Sequence, residues 1–232
     1  MSRVGFAGLL AGAMLIAAPA IASERVVNGD FSAGDSGFST SYVSYPAFGE
    51  NDALGNYWVF TNPAVLCGSC FPSIGDHTTG TGNLLDLDGA GNAGVVAWSE
   101  TMSVVPNTNY DLSFWATSLG VAGPQPDIIA QVDGGTVLDT GLLPSTTGVT
   151  ATTWLNFTKT VNSGASSTLT LSFIDTTDTH AFNDLAMDDI SLTGPSPAGA
   201  VPEPGTWAML LMGLGAAGAA LRTRRRSAAA LA

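Results

Sequence analysis

Residues that could do chemistry are few in this chain. There are two histidines, His77 and His180, two cysteines, Cys67 and Cys70, and 19 acidic against 7 basic residues. The histidines are isolated, no Gly-x-Ser-x-Gly stretch is present, and the serines and threonines beside them lack a triad framework. The carboxylates could supply an acid and a base or nucleophile across a sugar, but linear spacing does not set the separation that glycoside hydrolysis needs. A cleft for that reaction usually asks for a larger scaffold, so binding is expected rather than turnover. The sharper candidates are aromatic. An exposed ring packs against the C–H face of a pyranose while nearby carboxyl or amide groups hydrogen-bond its hydroxyls. In the run Tyr110-Asp111-Leu112-Ser113-Phe114-Trp115-Ala116, residues 110, 112, 114 and 116 share one face of a strand, which puts Trp115 on the other. Trp115 is therefore the first candidate platform and Tyr57 or Trp58 the next, with Trp98 and Trp154 expected in the core.

The cysteines stand as Cys67-Gly68-Ser69-Cys70 with no strand-to-helix pattern of a redox motif around them. A zinc site would need two further ligands, for which only His77 and His180 are available. An exported chain favours a Cys67–Cys70 disulfide, which would stiffen one loop more than it stabilises the whole. The stretch from Asp86 to Asn92, Asp-Leu-Asp-Gly-Ala-Gly-Asn, has the glycine of a calcium loop at its sixth position, but Ala90 and Ala97 occupy positions five and twelve. It reads as a Gly-rich turn after core residues Leu85 and Leu87.

These residues need a rigid frame, and the frame reads as strands. Short β-branched and aromatic runs alternate with Gly, Asn, Asp, Pro and Ser clusters, and no helical period runs through them. Strands are expected at 41–45, 57–60, 83–87, 95–105, 110–116, 128–132, 136–139, 154–161, 168–174 and 187–192, with a tight hairpin at Asp133-Gly134-Gly135. The expected class is all-β, an antiparallel two-sheet jelly-roll sandwich over residues 23–194. Residues 47–82 are loop-rich, and long loops on a rigid sandwich commonly shape a binding edge.

Both ends look removable. Arg3, an apolar segment and Ala20-Ile21-Ala22 form a signal peptide over residues 1–22. Between 23 and 200 there are 18 acidic residues against Arg25 and Lys159, a net charge near −16, which disfavours nucleic acid and anionic membranes as partners. A linker at 195–200 leads to Pro202-Glu203-Pro204, an uncharged run of 17 residues at 205–221, the basic cluster Arg222, Arg224, Arg225 and Arg226, and a tail at 227–232. At about 1.5 Å per residue the run just spans a thin hydrocarbon core as a transmembrane helix. The arginines would keep its far end cytoplasmic. The prolines hold the backbone extended around Glu203.

This order of motif, span and basic cluster over 201–226 resembles the PEP-CTERM sorting signal of Gram-negative bacteria that secrete exopolysaccharide. The resemblance implies an exosortase that recognises Pro202, Glu203 and Pro204 and removes a transient inner-membrane anchor, leaving the protein at the cell surface or in the extracellular matrix. A second resemblance rests on the opening Asn28-Gly29-Asp30-Phe31 and the closing Asp188-Asp189-Ile190-Ser191-Leu192. Both look like the terminal strands of carbohydrate-binding-module sandwiches of the galactose-binding-like type. It implies terminal strands lying side by side and a structural calcium between them, with Asp30 and Asp188 as candidate ligands, although Ser32 stands where those modules often carry glutamate. From alternation alone Asp188 shares a face with Ile190 and Leu192 and points inward, where calcium or backbone N–H donors would each compensate its burial. The reading is an exported, non-catalytic sandwich that binds polysaccharide or matrix. A surface protein with a protein partner and a small glycan-acting hydrolase are the alternatives.

Overall fold

The computed structural model describes residues 22–44, 55–66, 71–120, 125–145, 153–178, 183–197 and 209–216. The chain divides into two compact units, residues 1–196 and 197–232. Among its described residues the first carries eleven strands: β1 (Ala22–Glu24), β2 (Val43–Ser44), β3 (Asn56–Phe60), β4 (Leu84–Leu87), β5 (Val95–Ser103), β6 (Asn109–Ser118), β7 (Ile128–Val132), β8 (Gly135–Asp139), β9 (Leu155–Asn162), β10 (Thr168–Asp175) and β11 (Leu185–Pro195). In the second, residues 209–216 are helical and exposed. No helix among the described residues is long and apolar enough to cross a membrane. Cys67, Cys70, His180, the motif Pro202 to Pro204, the basic cluster and the signal segment 1–21 lie outside the described residues.

The strands form two sheets. Sheet A runs β2-β3-β4-β11-β6-β9, with β1 joining β11, and sheet B runs β5-β10-β7-β8. The pairing is antiparallel except between β2 and β3. The expected proximity of the two termini is met by β1, where Ser23 faces Gly194 and Glu24 faces Thr193. This strand was not expected, because its three residues sit on the signal-peptide boundary and carry no alternation. Residues 28–31, read as the opening strand, form a turn in which Asn28 and Phe31 take φ of 59° and 53°.

Alternation puts the core where the sequence indicates. Tyr110, Leu112, Phe114 and Ala116 of β6 are buried, as are Leu85 and Leu87 of β4 and Leu169, Leu171 and Phe173 of β10. Phe114 and Phe173 meet across the sandwich with ring centroids 4.5 Å apart at 61°, and Trp98 packs on Phe173. Tyr110 closes one end: its hydroxyl accepts from Val105 N and donates to Pro195 O, both at 2.8 Å. Gly194 is needed there, since a Cβ would come within 2.3 Å of the Tyr110 ring.

Sheet A also has a packed outer face. Leu84 and Ala186, which point away from the main core, are buried with Leu119, Phe71 and Ile74, and Trp154 packs beside them. Trp154 thus belongs to this second cluster and not to the inter-sheet core. Its place just before β9 gives it the parity of the outer face.

Candidate functional site

The segment 75–82 crosses the outer face of sheet A and brings several chemical groups together. Asp76 shapes it by accepting from Thr79 N and Oγ1, both at 2.8 Å, and from Gly82 N at 2.7 Å. Burial would push the Asp76 carboxyl up, but these donors outweigh it and hold the carboxyl below its ordinary value. Gly75 permits the tight crossing: a Cβ there would sit 1.9 Å from Gly80 O.

The segment aims His77 at the sheet. Its ring stacks on Trp115 with centroids 3.5 Å apart at 16°, and meets Trp154 edge-on at 6.3 Å and 78°. Trp154 Nε1 donates to Gly75 O at 3.3 Å, which ties the indole to the same segment. His77 Nδ1 lies 2.7 Å from Asp189 Oδ2, and both side chains are 26% exposed. Thr78 Oγ1 donates to that same carboxylate oxygen. His77 N donates to Asp188 Oδ2 at 2.7 Å, and Asp189 N to Asp188 Oδ1 at 2.8 Å. Burial drives the Asp188 carboxyl up to about 7 despite these two N–H donors.

The arrangement corrects one reading of the sequence. The pairing of β11 with β6 shifts between Asp188 and Ser191, and Asp189 takes φ of 47°. The bulge changes the phase of alternation, as an inserted residue must. Asp188 therefore lies opposite Trp115 on the outer face, while Ile190 and Leu192 belong to the inter-sheet core. Its burial is compensated by N–H donors from His77 and its own neighbour. The first strand supplies none of them.

The other candidates fall elsewhere. Tyr57 and Trp58 are on β3, separated from β6 by β4 and β11. Tyr57 packs edge-on against Phe38 at 5.9 Å, and its hydroxyl is 3.5 Å from Asp35 Oδ2. Trp58 lies opposite Asp86. These aromatics and Trp115 do not form one platform. Asp30 is exposed, and its Oδ1 accepts from Ser32 N and Oγ at 3.2 and 2.9 Å. With Glu24 and Asp189 it lines a cavity of about 310 Å³ beside residues 189–191 of β11. Asp30 and Asp188 are thus held by separate partners, and among the described residues no three His, Cys, Asp or Glu side chains form a group that could hold a metal.

What the site can do follows from its bonding. His77 and Thr78 converge on one oxygen of Asp189, so the hydroxyl is bonded to the carboxylate and not aligned on the imidazole that would have to activate it. The group is better suited to holding a polar ligand at the rim of stacked rings. His77, Asp189 and Trp154 escaped the sequence reading of this site. The bulge that turns Asp188 and Asp189 to different partners depends on pairing, which local sequence does not encode, and His77 is distant from its partners along the chain.

The chain matches the PEP-CTERM protein-sorting motif over residues 200–226. No curated protein matches it. Among solved structures it is similar to a Stig cyclase, Fisc, from Fischerella sp. TAU in complex with (3Z)-3-(1-methyl-2-pyrrolidinylidene)-3H-indole, at 14% identity and a TM-score of 0.52, covering 76% of this chain and 100% of that one. A structure of a cyclase from Fischerella sp. TAU in complex with 4-(1H-Indol-3-yl)butan-2-one gives 14% identity, a TM-score of 0.50 and the same coverage. These likenesses show the sandwich fold. Family 16 Carbohydrate Binding Module-2 is also similar, at 16% identity and a TM-score of 0.40, covering 72% and 98%.

Proposed function

We propose that this chain is an exported surface protein, processed by an exosortase at Pro202-Glu203-Pro204, whose sandwich binds a glycan of the cell surface or extracellular matrix without turning it over. The sorting motif at 200–226 supports the route. The observation that carries the binding role is the Trp115–His77–Trp154 ring cluster rimmed by the Asp189 carboxylate and the Thr78 hydroxyl. His77 covers one face of Trp115, so the ring surface offered to a sugar is the partly exposed His77 ring, held by Trp115 and Trp154 beside the polar groups. The hydroxyl–carboxylate bonding described above favours holding over catalysis.

Affinity electrophoresis of the full chain in mild detergent, through gels containing the host's exopolysaccharide, tests this. Retardation that weakens in Trp115→Ala is expected. Equal migration of parent and variant in every glycan gel would refute the proposed site. The sorting step has its own test: with Pro202→Ala and Glu203→Ala together, full-length protein should stay in the inner membrane, and unchanged processing would reject it.

A further inference from the structure

Sheet B presents a different surface. On β5 the outward positions Ser99, Thr101 and Ser103 pair in register with Ser172, Thr170 and Thr168 of β10. All six carry hydroxyls. The inward neighbours Met102, Leu169, Leu171 and Phe173 are buried, which fixes the hydroxyl side as the outer face. The Ser99–Ser172 row continues in register to Gln131 of β7 and Thr136 of β8, and Ser39 bridges to Ser99 on the other side. One uncharged polar row thus crosses five strand segments at about 4.8 Å per strand.

The ladder is only partly self-satisfied. Ser99 and Ser172 share one hydrogen bond at 2.9 Å, and Thr101 and Thr170 another at 2.8 Å. Each such pair uses one O–H donor and leaves the second donor and most lone pairs free for a ligand. At the Ser39 end the row opens into a cavity of about 430 Å³, lined among others by Phe38, Ser39, Ser99, Glu100 and Thr101. Phe38 is held by a stacked contact to Trp98 at 6.4 Å and edge contacts to Phe31 and Tyr57. Glu100 accepts from Val27 N at 3.1 Å with each of its oxygens. The cavity therefore has an aromatic wall, a fixed carboxylate and hydroxyls together.

We infer that this face is a second glycan-docking surface, which takes a neutral polysaccharide chain lying across the strands with one sugar unit seated in the Phe38–Glu100 cavity. The inference rests on the glycan-binding reading above. Charge selects the occupant. The row itself is uncharged, whereas the domain around it is near −16, so an anionic polymer is repelled at long range and a neutral one is not. Side chains that both donate and accept match the hydroxyls of such a polymer, and the strands that carry them are rigid.

The test uses the full chain in mild detergent, run through gels of a neutral galactomannan or hydroxyethyl cellulose and of an anionic alginate. The variants are Thr101→Glu with Ser172→Glu, Glu100→Gln, and separately Trp115→Ala. Retardation by a neutral polymer should fall about tenfold in the double-glutamate variant, a loss of about 1.4 kcal/mol, and less in Glu100→Gln. Unchanged melting temperature in Glu100→Gln separates binding from folding. If the double variant and Glu100→Gln migrate like the parent while Trp115→Ala loses retardation, the ladder proposal fails and the first site stands. If only the ladder variants lose it, the Trp115 site fails instead. Stronger retention by alginate overturns the inference, and no retardation of the parent in any gel overturns both readings.

Discussion

The outer faces of the two sheets share one sandwich but are built oppositely. Sheet A's outer face is roofed: Leu84, Ala186, Phe71 and Ile74 make a second apolar cluster, and the 75–82 segment lays His77 on Trp115. Sheet B's outer face carries hydroxyls on the β5–β10 pair and no comparable cluster among the described residues. The difference lies in what stands at the outward positions. Leucine and tryptophan there require a cover, because leaving them in water forfeits about 1.5–3 kcal/mol for each large apolar side chain. Serine and threonine require none and stay available. A site on sheet A is therefore fixed in shape by its roof, while sheet B offers an open rack.

Stability measurements on the two faces test this contrast. Leu84→Ala, beneath the roof, should cost about 2–5 kcal/mol in urea unfolding of the full chain. Thr101→Ala, the outward position on sheet B, should stay within about 0.5–1 kcal/mol. Equal costs would mean that the roof contributes no packing. Gly75→Ala should come next, at about 1–3 kcal/mol, because its Cβ cannot coexist with Gly80 O at 1.9 Å. The near-ultraviolet dichroism of the stacked Trp115–His77 pair should fall with it, and an unchanged spectrum would show that the crossing does not position His77.

A further effect is pH-dependent. Asp188 is raised to about 7 by burial. A carboxyl whose folded pKa exceeds its unfolded value contributes stability that is complete below about pH 4 and is lost as pH rises through about 7. Asp188→Asn should therefore show a flatter stability profile than the parent between about pH 4 and 8. Parallel profiles would place the titration elsewhere. Ser172→Ala removes the hydrogen bond of the neighbouring ladder rung and should match Thr101→Ala, at about 0.5–1 kcal/mol with the fold intact.

Much of the fold was legible in the sequence because period-2 alternation is a local signal. Tyr110, Leu112, Phe114 and Ala116 declared the inner face of β6, and Asp133-Gly134 declared the β7–β8 hairpin, where both residues take positive φ. Strand β1 was illegible since three residues carry no pattern, and its existence depends on pairing with β11. The site was half legible. Alternation turned Trp115 away from the core, but its cover, His77, arrives from 38 positions earlier in the chain. Asp188 was misassigned because a bulge, set by pairing and a φ of 47° at Asp189, reverses the phase that alternation assumes. The hydroxyl ladder was written in Ser99-x-Thr101-x-Ser103 and Thr168-x-Thr170-x-Ser172, yet only register shows that the two runs face each other. Asp86 is a similar case. It reads as one acid of a Gly-rich turn, whereas it is fully buried. Burial, followed by Asp184 and Asp88, drives its carboxyl well above the ordinary range.

The proposed glycan binding needs surfaces whose groups are already in place. The chain has five tryptophans, and their indole N–H resonances report it most directly when the full chain is titrated with the host's exopolysaccharide. A saturable shift of the Trp115 resonance is expected while that of Trp98, fully buried between the sheets, stays in place. No saturable shift at Trp115, or one that Trp98 matches, would contradict it.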